Sequence, residues 1–127
     1  KNDKKNFLII DVGMNDLMRP ALYSSKHEIS LLNDLISYKE NQEYEVVGPI
    51  CETTDIIAKN VDLPVNVKSG DYIIIYDVGA YGAAMSSNYN SRGLITEVMV
   101  KEDTYCIIRN EQSIEDIIRL EKIADWL

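Results

Sequence analysis

The chain has one histidine, two cysteines and three prolines in 127 residues. A structural zinc site takes four ligands at short spacings; Cys51, Cys106 and His27 are too few and too scattered for one. Two cysteines also argue against the disulfide framework of a small secreted domain, and a reducing cytoplasm fits better. Whether the two thiols pair is left open by the sequence. Long apolar runs are missing as well. None approaches the roughly 20 residues that cross a bilayer as a helix, so no membrane partner is expected. The opening "KNDKKNF" is too polar for a signal-peptide core or a transit peptide. It begins with lysine rather than an initiator methionine, so a piece of a longer protein is expected.

Basic residues are the minority, 13 against 21 acidic ones, for a net charge of -8. Such a surface repels phosphate backbones, which excludes nucleic acid as an expected partner. The acidity reads as a solubility feature. What is present is ordinary for a folded domain: 46% hydrophobic and 27% charged residues, in a chain long enough for one core.

The local pattern is one of short strands. "FLIIDVG" (7–13) reads as a buried strand. Pro20 confines the next stretch to a turn and one helical turn starting near it. "HEISLLNDLI" (27–36) fits either strand or helix, and strand is the expectation. "ENQ" (40–42) reads as a loop. "YEVVGPI" (44–50) is a strand with a bend at Gly48-Pro49. "DIIAKNVDLP" (55–64) is a strand running into a loop. A Ser-Gly-Asp turn feeds a further strand within 67–79. Residues 80–93 are small, polar and expected to be largely irregular. "LITEVMV" and "TYCIIR", separated by "KED", predict a hairpin. Residues 113–127 predict a helix, with Ser113 and Asp116 placed for a near capping box. The fold class expected is mainly β: an antiparallel Greek-key barrel or sandwich with short helices, one of them C-terminal.

Three groups of residues can carry chemistry. In Cys51-Glu52, the carboxylate disfavours the neighbouring thiolate, so the thiol suits proton donation better than nucleophilic attack. The plainer alternative is a strand-end cysteine beside an unrelated surface glutamate. Arg19 and Tyr23 lie one helical turn apart in "RPALY". They could grip a carboxylate through paired guanidinium bonds and a phenol, or be a surface arginine and a half-buried tyrosine. Tyr81 sits in "GAYG", where glycines permit close approach to a ligand; a turn with an aromatic plug is the equal alternative. "SSNYNSR" (86–92) is by itself a polar loop. His27 reads as structural.

Read together, "FLIIDVGMNDLMRPALY", "VVGPICETTD" and "GAYGAAMSSNYNSR", in this order, resemble the C-terminal part of the diaminopimelate decarboxylase family. The resemblance runs from about Phe7 to Glu121. It implies a pyridoxal 5'-phosphate enzyme of lysine biosynthesis that converts meso-2,6-diaminopimelate to L-lysine and CO2. It implies an N-terminal α/β barrel, absent from this chain, that carries the cofactor lysine. Residues 1–127 would be the C-terminal β-domain, lacking also the short N-terminal stretch that completes it. Family members are homodimers with active sites shared between subunits. By motif, Arg19 and Tyr23 would bind the distal carboxylate of the substrate, and Glu52 its amino-acid end far from the cofactor. Cys51 would be the proton donor reaching into the neighbouring subunit's site, and Tyr81 would touch both cofactor and substrate. The isolated chain is expected to be inactive.

Two departures stand out. The family's usual "CESGD" is "CETTD" here, and Thr54, being β-branched, resists the positive φ that glycine permits. Gly93 stands where a proline usually follows "NSR". Two other readings are carried forward. One is the β-domain of an arginine, ornithine or carboxynorspermidine decarboxylase, against which "RPALY" argues. The other is a non-catalytic binding or dimerisation module.

Overall fold

The computed structural model describes residues 5–32 and 40–127. The element order is β1 (Asn6–Ile9), α1 (Arg19–Tyr23), β2 (Ile29–Leu31), β3 (Asn41–Val47), β4 (Ile56–Pro64), β5 (Ile73–Ile75), α2 (Gly79–Ala84), a 3-10 turn (Tyr89–Ser91), β6 (Glu97–Lys101), β7 (Thr104–Arg109) and α3 (Ile114–Ile118). Among the described residues the strands form three small open sheets, β1-β3-β4, β2-β5 and β6-β7. The mainly β expectation with short helices holds. One pairing departs from antiparallel: β1 runs parallel to β3, with Asn6 opposite Tyr44 and Ile9 opposite Val47. A parallel pair needs a crossover, and residues 10–40 supply it, carrying α1 and β2 on the way.

The core forms where the first two of these sheets meet. Leu17, Ile29, Val46 and Ile57 are buried together, with Leu8, Ile10, Val12, Ile73 and Ile75 packed against them. Alternation along β3 explains its contribution, since Tyr44 and Val46 point inward while Glu43 and Glu45 lie on the other face. Tyr44 keeps its phenol satisfied inside by donating to the Pro64 carbonyl at 3.3 Å. The β3–β4 ladder carries a bulge: Tyr44 faces Val61 but Val46 faces Ala58. The extra residue is absorbed by Asn60, in the left-handed region at φ 54°.

Several local expectations change. From Asn41 on, the "ENQ" loop is instead the start of β3, where Asn41 and Gln42 pair with Pro64 and Leu63; Asn41 is exposed, Gln42 lies on the Tyr44 face and donates to the Tyr44 hydroxyl at 2.6 Å, and the ladder sets the backbone. For the same reason β4 runs to Pro64 without dissolving into a loop. Within 27–36 the described part is the strand β2, and residues 33–36 lie outside the described residues. Residues 80–93 contain α2 and the 3-10 turn and are otherwise irregular. The hairpin β6–β7 forms as expected.

The C-terminal helix is the largest change: α3 ends at Ile118, not near residue 127. Its start follows the sequence, because Ser113 and Asp116 form a reciprocal capping box. Its continuation has nothing to pack on: Leu120, Ile123 and Trp126 are each 84% exposed or more. A helix this short gains its stability from a buried apolar face, and the described residues offer none there.

Candidate functional site

Three segments, 11–23, 48–55 and 79–92, meet around a set of buried polar side chains. Asp55, only 3% exposed, is the pin for the second. Its Oδ2 accepts the Ile50 amide and its Oδ1 the Met14 amide, both at 2.7 Å. The Gly48 amide donates to the Asp55 carbonyl at 3.0 Å. A Cβ on residue 48 would collide with the Asp55 carboxylate, so the bend needs glycine. Between these pins the chain turns tightly, with the Glu52 amide on the Ile50 carbonyl at 2.8 Å and the Asp55 amide on the Glu52 carbonyl at 3.1 Å. Cys51, Glu52, Thr53 and Thr54 are thereby held outward and exposed. Thr54 has no positive φ, so threonine is accommodated without backbone strain; its hydroxyl lies 3.5 Å from the Met14 sulfur.

Cys51 is a free, exposed thiol, as is Cys106. Beside Cys51, the Glu52 carboxylate is held from two sides. Oε1 accepts the Thr53 amide at 2.9 Å. Oε2 faces the Tyr89 hydroxyl at 3.4 Å.

The second group forms around Arg19. Pro20 sits in the first turn of α1, and the single turn to Tyr23 places that ring 5.2 Å from the Arg19 guanidinium carbon. Tyr81, from α2, brings its ring to 5.1 Å from the same carbon. Gly79, which opens α2 at φ +61°, turns the chain into position. Both phenols are more than 60% exposed. Among the described residues Arg19 has no carboxylate partner. A guanidinium so placed can make paired hydrogen bonds to a carboxylate.

Arg19, Tyr23 and Tyr81 thus come together as one group, and Cys51 and Glu52 as another. Among the described residues no direct bond joins the two. They share a frame that sequence reasoning missed. Arg92 donates from Nε to Asn15 Oδ1 at 3.1 Å and from a terminal nitrogen to the Asp11 carbonyl at 2.7 Å, with Asp16 Oδ2 at 3.6 Å. Asp16 in turn accepts the Gly13 amide at 2.9 Å and the Asn15 side-chain amide at 3.0 Å. The Ser87 amide donates to the Asn15 carbonyl at 2.9 Å. The polar tract "SSNYNSR" is therefore a clamp on "DVGMND". The signal was its density of hydrogen-bonding groups; its partners, more than 70 residues away, were invisible.

For a cofactor, the fit is partial and one-sided. Tyr81 has an exposed ring and hydroxyl on a glycine-opened helix, which suits contact with a flat, polar group. The described residues around it do not enclose such a group, so most of its site would have to come from other chain. A wide groove of about 1040 Å³ adjoins these segments, lined by Leu8, Ile10, Ile73 and Val98 and also by Asp16 and Gly79 among others. None of Arg19, Tyr23, Cys51, Glu52 or Tyr81 lines it.

The chain is 46% identical to the diaminopimelate decarboxylase of Buchnera aphidicola (subsp. Acyrthosiphon pisum), in a match that covers 96% of this chain and 32% of the relative. It is 42% identical to that of Archaeoglobus fulgidus, covering 100% and 30%. Among solved structures it resembles diaminopimelate decarboxylase from Helicobacter pylori complexed with L-lysine, with a TM-score of 0.83 and 43% identity over 92% of this chain and 28% of the other. The chain spans about a third of the length of these relatives. The family described as "Pyridoxal-dependent decarboxylase, C-terminal sheet domain" matches residues 1–79, more than half of the chain, and the chain belongs to that family.

Proposed function

We propose that this chain is the C-terminal β-domain of a diaminopimelate decarboxylase, which converts meso-2,6-diaminopimelate to L-lysine and CO2 in lysine biosynthesis. The observation that carries the reading is the Arg19 guanidinium between Tyr23 and Tyr81 with no carboxylate of its own among the described residues. Identity above 40% to decarboxylases of that name supports it.

Arg19 binds the distal carboxylate by paired charged hydrogen bonds, and Tyr23 adds a phenolic donor. Glu52, held by Thr53 and Tyr89, takes the distal ammonium. Together they orient the substrate by the end that does not react. Pyridoxal 5'-phosphate, bound mainly by residues outside this chain and touched by Tyr81, supplies the electron sink for loss of CO2. Cys51 Sγ holds the proton that passes to the α-carbon after CO2 leaves; the resulting thiolate recovers its proton from solvent. The exposure of Cys51 and Glu52 supports a site completed by another part of the protein. The apolar groove and the uncovered Leu120, Ile123 and Trp126 support a homodimer in which this domain packs on a barrel and on a second subunit. Two exposed free thiols support a reducing cytoplasm.

The test is turnover by the complete enzyme of meso-diaminopimelate against ornithine and arginine. Selective turnover of diaminopimelate is expected. Preference for ornithine or arginine would assign the chain to a related decarboxylase. Absence of any decarboxylation would favour a binding or dimerisation module.

A further inference from the structure

We infer that Tyr89 is a positioning residue for Glu52, and through it a determinant of how tightly the substrate's amino-acid end is held. The inference rests on the reading of Glu52 as a substrate contact. Its basis is the juxtaposition of two segments 37 residues apart, with the Tyr89 hydroxyl 3.4 Å from Glu52 Oε2. Oε1 already has the Thr53 amide. A glutamate on an exposed loop would otherwise sample several rotamers. Held at both oxygens, this one keeps a single orientation and still has acceptor capacity, because an ionised carboxylate accepts about four hydrogen bonds.

The backbone that presents Tyr89 is itself constrained. Asn90 and Ser91 both lie in the left-handed region, each at φ 56°, where non-glycine residues are uncommon and in a bonded pair rarer still. Neighbours hold the conformation. The Ser91 amide donates to the Asn88 carbonyl at 2.9 Å. The Asn88 side-chain amide donates to the Arg92 carbonyl at 2.8 Å and to Gln112 Oε1 at 2.6 Å. Arg92 is clamped to Asn15, Asp16 and Asp11. Strain held this firmly is a feature of functional segments, and here its product is the aim of one phenol at one carboxylate. The contact is long for an O–H···O bond, as such contacts commonly are before substrate binds.

The test is a double-mutant cycle in the complete holoenzyme with Tyr89→Phe and Glu52→Gln, reading KM and kcat for diaminopimelate. Tyr89→Phe keeps the ring and removes the donor. It is expected to raise KM roughly three- to tenfold, the usual worth of one hydrogen bond, with kcat nearly unchanged. In the Glu52→Gln background it should add less than about twofold, because the carboxylate charge that it positions is gone. If Glu52→Gln raises KM and Tyr89→Phe then multiplies its full effect on top, or lowers kcat and KM alike in both backgrounds, the inference is overturned and Glu52 keeps its role. If Glu52→Gln leaves KM unchanged, the reading of Glu52 fails and the inference fails with it.

Discussion

Asp55 Oδ1 accepts the Met14 amide at 2.7 Å across 41 residues of sequence. That single bond fixes the loop bearing Cys51 and Glu52 to the segment that leads into Arg19. The other oxygen of Asp55 holds Ile50, so both oxygens are engaged.

Asp55→Asn should therefore loosen the loop rather than merely remove a charge. An asparagine has one acceptor oxygen, and its amide nitrogen would face a backbone N–H. Losing a charge-assisted bond and leaving a buried donor unpaired costs about 2–4 kcal/mol. The urea midpoint of the complete enzyme should fall accordingly, and kcat/KM with it. An unchanged midpoint would mean that the pin carries no stability.

Cys51→Ala in the complete enzyme should slow turnover by roughly 10²–10⁴-fold, the usual worth of one placed acid, while KM changes little. Retention of wild-type turnover would return Cys51 to the role of a strand-end residue.

Arg19→Ala should raise KM for diaminopimelate steeply, since it leaves the distal carboxylate unpaired in the site. Inhibition by lysine, which keeps that carboxylate because the reacting one leaves as CO2, should weaken as well, whereas inhibition by 1,5-diaminopentane, which has no carboxylate, should be affected far less. Tyr23→Phe removes one donor and should cost only about 0.5–1.5 kcal/mol. Inhibition and saturation constants for both variants separate the two cases; equal penalties on substrate and 1,5-diaminopentane would make Arg19 a structural residue.

Asp116 sits below the ordinary carboxylate value of 3.8, because the Ser113 backbone amide and then its side chain donate to it, with a smaller contribution from Arg119. A depressed folded value gives stability that is present above 3.8 and lost as pH falls through that lowered value. The amide signals of Ser113–Ile118 should shift toward unstructured values only below about pH 3.8, their usual carboxylate range. Fraying that begins near neutrality would rule out the capping box as the source.

Much of this was legible in the residues. The β-branched runs of the β6–β7 hairpin, the Gly48 bend and the Ser113–Asp116 cap are local signals, and local geometry decides them. Arg19 and Tyr23 were legible as a pair because one helical turn brings them together. The approach of Tyr81, the aim of Tyr89 and the Arg92 clamp were not, since each depends on where a distant segment lands. The parallel partner of β1 was hidden for the same reason: period-two alternation reveals a strand and says nothing of its neighbour. α3 is shorter than its helical pattern suggests because its apolar side chains find no packing among the described residues.

The parallel pairing of β1 with β3 also sets an order in time. Val47 and Ile56 close a turn of a few residues, whereas Asn6 must find Tyr44 across the whole crossover. Closure entropy grows with the intervening length and long-range parallel pairing is slow, so β3–β4 zips first and β1 docks last. The segment carrying Arg19 hangs from β1. The cluster of Arg19 with Tyr23 and Tyr81 is consequently a late product of folding, complete only after most of the domain exists. Pulse-labelled hydrogen exchange should protect the amides of Val46 and Ile57 before that of Ile10, which bonds the Val47 carbonyl; the reverse order would refute the sequence of events.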